Sequence, residues 1–161
     1  MAEAQTPPAA NPNQPQFTIE KIYVKDLSLE LPSAPEVFLQ REQPQLEFQF
    51  RNEGKAIGND YHEVVLTATV NAKVKDKTVF LVEVAQAGIF LIRGIPAADL
   101  EPVYAVTCPT ILQPYLRETV SDMTVRAGFP PVYLAPMNFD GLYRQQQAQR
   151  AAGESSTETT H

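Results

Sequence analysis

Apolar residues recur at every second position as far as Arg93 and at every third or fourth position beyond it. A chain patterned this way lays down strands first and helices afterwards, because side chains alternate faces along a strand but form one stripe along a helix. In QLEFQFR, Leu46, Phe48 and Phe50 share one side while Glu47, Gln49 and Arg51 share the other, which predicts a half-buried strand. The RNEGKAIGND stretch that overlaps its end reads as a loop. From Tyr61, YHEVVLTATVNAKVK sets Val64, Leu66, Ala68, Val70, Ala72 and Val74 against Glu63, Thr67, Thr69, Asn71 and Lys73, a long amphipathic strand. Lys75, Asp76 and Lys77 interrupt it, and TVFLVEVAQAGIFLIR then resumes, so the two runs are expected to pair as an antiparallel hairpin. This last strand is apolar on both sides, with Phe80, Val82 and Val84 on one and Leu81, Ala85, Ile89 and Leu91 on the other. Two apolar faces need two covers: the chain's own helices and a second subunit.

An earlier strand lies in YVKDLSLE and stops before Pro32 and Pro35. Strict alternation sets Asp26, Ser28 and Glu30 on one side and Tyr23, Leu27 and Leu29 on the other. The carboxylates either solvate an outer face or are displayed for a partner.

After Gly94 and Pro96, AADLEPVYAV predicts a short helical piece, and a longer helix opens at Pro109. In it Ile111, Leu112, Tyr115, Leu116, Thr119, Val120 and Met123 form an apolar stripe, and Gly128 with Pro130 and Pro131 ends it. PVYLAP is an extended connector, after which Asn138 or Asp140 caps a final helix with few apolar positions. Residues 1–16 and 151–161 have almost nothing to bury and are expected to be flexible tails, the second mildly acidic, around one domain at 17–150.

Chemistry is scarce. The formal charge of −6 opposes binding to nucleic acid or to an anionic membrane surface. Cys108 is the only cysteine, so no internal disulfide forms and no thiol cluster holds a metal. His62 sits in a strand with no nucleophile motif nearby, and Lys55 in EGKAIG lacks the glycines of a phosphate cradle. Asp26 and Glu30 lie about 13 Å apart along an extended chain, too far for paired glycosidase carboxylates. No basic start and no apolar run occur in the first twenty residues, which predicts a cytoplasmic protein without a secretory signal or a membrane span. An enzyme ranks below a binding protein.

The combination of YVKDLSLE with SAPEVF, FLVEVAQAGIF, CPTILQPYLRE and LAPMNFDGL resembles the SecB family of bacterial export chaperones, over about residues 17–143. That resemblance implies an α+β fold, a four-stranded antiparallel sheet with two main helices packed on one face, assembling as a dimer of dimers. It implies an ATP-independent holdase that keeps presecretory proteins unfolded and passes them to the translocase motor SecA, with no cofactor or metal of its own. The motor's basic tail would dock on Asp26, Glu30, Leu81 and Glu83, and clients would lie in a groove containing Val37, Phe38, Leu46, Phe48, Phe50 and Leu142. Val82, Val84 and Gln86 would mark the oligomer interface, with the helix from Cys108 packed between paired dimers. Two other readings stand beside it: a ligand-binding or enzymatic domain with the Phe48 groove as its pocket, and a purely structural oligomer.

Overall fold

The computed structural model of the chain describes residue 11 and residues 13–157. Most of the expected N-terminal tail lies outside the described residues, and Gln16 already opens the first strand. Four strands, β1 (Gln16–Glu30), β2 (Gln45–Gly58), β3 (Tyr61–Val74) and β4 (Lys77–Arg93), form one antiparallel sheet in the order β1-β4-β3-β2. Both hairpins turn on two residues in the left-handed region, Asn59 and Asp60 after β2 and Lys75 and Asp76 after β3, a geometry that suits the twist of the flanking strands. The first of these turns corrects the expected loop at 51–60. Pairing with β3 carries β2 through to Gly58, and its polar residues suit an edge strand.

Even-numbered residues of β3 and β4 face α1 (Cys108–Arg126). Val64, Leu66, Ala68, Val70, Phe80, Val82 and Val84 pack there with Leu112, Leu116 and Val120 into a single core. The helical path begins earlier than Pro109, because turns from Ala97 run without a break into α1. A wide π-type stretch, Val103–Thr107, stands just before Pro109, which has no N–H to offer the Ala105 carbonyl. The end of α1 is a Schellman turn: Gly128 takes φ +91° and the Phe129 amide donates to the Thr124 carbonyl at 3.1 Å. The extended connector then runs back along α1, held by the Val132 amide donating to Thr124 Oγ1 and by Gln113 Nε2 donating to the Ala135 carbonyl.

Asn138 is the residue that caps α2 (Phe139–Thr157), its Oδ1 accepting from the Gly141 amide at 3.0 Å. The helix leans chiefly on Val103–Thr107 rather than on the sheet, so α1 alone supplies the main cover. At its end α2 runs on through Ala151 to Thr157, within the segment expected to be a tail, and residues 158–161 lie outside the described residues. Among the described residues no helix is long and apolar enough to cross a membrane.

Candidate functional site

Since α1 covers β3 and β4 but not β2, the side of β2 that carries Leu46, Phe48 and Phe50 is left open. These three residues lie opposite Ala72, Val70 and Ala68, on the helix side of the sheet, and Phe48 remains 44% exposed. The result is an apolar trough along a free sheet edge, divided into two clefts. The first, about 610 Å³, is lined by Phe38, Leu46, Phe48, Phe129 and Tyr133, with Val37 at its wall. Val37 itself is buried in the core, so it shapes the cleft more than it offers surface. Rings stack at the floor of this cleft, Phe38 on Phe129 at 5.4 Å and Phe129 on Phe80 at 5.0 Å between centroids. Gly128 is required here, because a Cβ would lie 2.9 Å from the Phe38 ring. The second cleft, about 320 Å³, joins Phe50 and Leu142 with Tyr104, Met137 and Tyr143.

Phe129, Tyr133 and Tyr104 were not among the groove residues read from the sequence. FPPVY offered a signal, since aromatic residues beside consecutive prolines cannot disappear into a regular element. Tyr104 is placed by tertiary contacts alone: its hydroxyl meets Nδ1 of buried His62, and its side chain lies close against Gly54 of β2.

The opposite face of the sheet is open. Pairing of β1 with β4 sets Glu30 beside Leu81, Ser28 beside Glu83 and Asp26 beside Ala85, so Asp26, Glu30, Leu81 and Glu83 meet on this face. Glu83 accepts a hydrogen bond from Thr69 Oγ1, while Asp26 and Glu30 have no ion-pair partner among the described residues. Strict alternation fails in β1, however. A bulge between Val24 and Asp26 moves Tyr23 onto the same face as Asp26 and away from Leu27 and Leu29.

That bulge builds a second cluster further along the face. Lys25 Nζ donates to Glu63 at 2.7 Å, Lys55 lies 3.6 Å from the same carboxylate, and the Tyr23 hydroxyl donates to its other oxygen. The hydrogen bonds from Lys25 and Tyr23 hold the Glu63 carboxyl below its usual value, against the opposing effect of burial. Burial, then the bond to Glu63, pushes Tyr23 up to about 12. Because Glu63 has the lower pKa in the folded chain, its ionised form stabilises the fold fully above its usual value of 4.5, and this contribution is lost as pH falls through the folded-state value. Glu63→Gln is therefore expected to lower stability at neutral pH by about 1–2 kcal/mol. The difference from the unsubstituted chain should vanish in strong acid, which denaturant titrations at the two pH values would measure.

At Val82, Val84 and Gln86, the positions of the expected oligomer contact, the side chains are already covered within the single chain. The two valines are fully enclosed within the single chain beneath α1, and buried Gln86 donates to the Tyr23 carbonyl at 3.1 Å. Even-numbered β4 residues face the helix, so these side chains present no surface to another copy. The other side of β4 leaves Leu81, Ala85 and Ile89 partly exposed.

No cluster of three metal-ligating side chains occurs among the described residues. Cys108 is buried, and burial pushes its thiol up to about 12, where it is a poor nucleophile at neutral pH. An apolar trough on one side of a sheet and a charged flat on the other are the surfaces of a binding protein.

Comparison with known proteins identifies which. The family model described as SecB, preprotein translocase subunit SecB, matches residues 10–150. The protein-export protein SecB of Chromobacterium violaceum is 59% identical over 138 residues, covering 86% of this chain and 92% of the relative. That of Methylobacillus flagellatus is 54% identical over 157 residues, covering 98% and 99%. A solved SecB-like chaperone of Mycobacterium tuberculosis, in complex with a peptide from an antitoxin, shares the fold at a TM-score of 0.61 and 21% identity, over 76% of this chain and 88% of that one. The chain belongs to the SecB family of protein-export chaperones, whose members are not enzymes.

Proposed function

We propose that the protein is an ATP-independent holdase of the cytoplasm that binds unfolded presecretory chains in the trough along β2 and delivers them to SecA through the acidic sheet face. The observation that carries this reading is the row Leu46, Phe48 and Phe50, left half-exposed on an edge strand by a helix that stops short of it. Contiguous apolar surface of this kind costs solubility unless it has a use. An extended polypeptide satisfies both parts of the trough, burying side chains in the clefts and meeting the unpaired backbone of β2. The same fold in the mycobacterial neighbour accommodates a peptide, which agrees with this use.

Several copies are needed for the mechanism. A long unfolded chain held at several weak sites is retained by avidity and without sequence specificity. A dimer of dimers supplies those sites. The exposed side of α1, with Tyr115 and Val125, is the surface we assign to its assembly, and Val82, Val84 and Gln86 act there only by supporting the helix. Release needs no nucleotide at this subunit, because transfer to SecA completes it.

Aggregation of a reduced, unfolded client provides the test. Near-stoichiometric amounts of the purified protein are expected to suppress the rise in light scattering without added ATP; an undiminished rise would remove the holdase reading.

A further inference from the structure

The acidic patch of Asp26, Glu30 and Glu83 has a lysine beside it. Lys25 is the extra residue of the bulge in β1, so it stands next to Asp26 without a cross-strand partner of its own on β4. A free ammonium at that position would offset a neighbouring carboxylate and repel a basic partner. Lys25 is not free. Its Nζ donates to Glu63 at 2.7 Å, and Glu63 lies opposite Ile89, further along the sheet from Leu81 and Glu83 than Asp26 is. The lysine is therefore drawn away from the acidic end of the face.

The grip on it is firm for a physical reason. Glu63 is buried, whereas Asp26 is exposed. A buried carboxylate needs its cation far more than an exposed one does, so Lys25 gains more from Glu63 than it would from Asp26. The Tyr23 hydroxyl takes the second oxygen of Glu63 and fixes the carboxylate's direction. Lys55, the other cation within 4 Å, comes from β2, three strands away from Asp26 in the sheet.

We propose that Glu63 is a positioning residue of the acidic dock: it holds Lys25 aside, so that Asp26 and Glu30 meet a basic segment of the partner with their charge unopposed. This inference rests on the acidic face being where SecA docks.

Glu63→Gln releases both lysines, and two double variants then show which of them matters. Glu63→Gln with Lys25→Gln removes the lysine beside the dock, and Glu63→Gln with Lys55→Gln leaves it there. Both doubles have the net charge of the unsubstituted chain, and both lack Glu63. In titrations of purified SecA against the full chain, Glu63→Gln is expected to weaken binding by about threefold or more, a magnitude typical of exposed charge pairs. The double with Lys25→Gln should recover the affinity of the unsubstituted chain, and the double with Lys55→Gln should stay as weak as Glu63→Gln alone. Holding of an unfolded client, on the other side of the sheet, should be the same in all four proteins, which shows the fold intact. Equal SecA affinities in the two doubles would overturn the role of Glu63. If SecA does not bind the unsubstituted chain, the dock itself is lost, and the positioning of Lys25 with it.

Discussion

Phe48→Asp is expected to remove most of the capacity to hold unfolded clients while leaving the fold and the assembly in place. The side chain stands half-exposed on an edge strand and contributes little to the core, so the fold tolerates its loss. A client loses twice, however. The aromatic surface it buries against is gone, worth about 2 kcal/mol for a side chain of this size. A carboxylate also stands in the cleft and must be desolvated when an apolar segment enters. Together these effects are expected to weaken each segment by about tenfold to a hundredfold. Attachment at several sites multiplies the loss along one client chain. Fluorescence titration with an unfolded client, beside light scattering and a mass measurement in solution, checks the result. A variant that still holds clients with unchanged mass and affinity would show that the trough along β2 is not where they bind.

Reversing charge on the other face is expected to separate delivery from holding. Asp26→Lys combined with Glu30→Lys replaces two outward carboxylates that have no ion-pair partner among the described residues, so no internal contact is broken. Leu81 and Glu83 stay in place on the neighbouring strand. In the proposed docking, opposite charges on SecA's basic tail and on this face would steer their encounter, and reversal would make that encounter repulsive. The affinity for SecA is expected to fall by about tenfold or more, with a flattened dependence on salt. Client binding, on the opposite side of the sheet, should not change. Surface-exchange binding measurements at two ionic strengths read both effects, and unchanged SecA affinity in the double variant would refute the dock.

The residues of the proposed acidic dock were named through the resemblance, but their meeting on one face depends on the register of β1 against β4, where Glu30 falls beside Leu81. The trough shows the same division. Alternation in QLEFQF announced an apolar side of β2, yet alternation cannot distinguish a covered side from an uncovered one. That outcome followed from the position of α1, which lies chiefly over β3 and β4. Leu142 and Phe50, expected in one groove with Phe48, occupy a second cleft because the Tyr104 ring and α2 close around them.

Local pattern was sufficient wherever one physical rule acted over a few residues. Alternation placed the β3–β4 hairpin, Gly128 ended α1, and the cap of α2 was narrowed to Asn138 or Asp140, each through a backbone requirement that neighbouring residues satisfy by themselves. It failed where distant groups had to agree. The bulge that turns Tyr23 and Lys25 toward Glu63 is one such place, and the extension of β2 to Gly58 against a favourable partner is another. In those places the free energy lies in contacts between residues far apart in the chain, and no single segment contains the information.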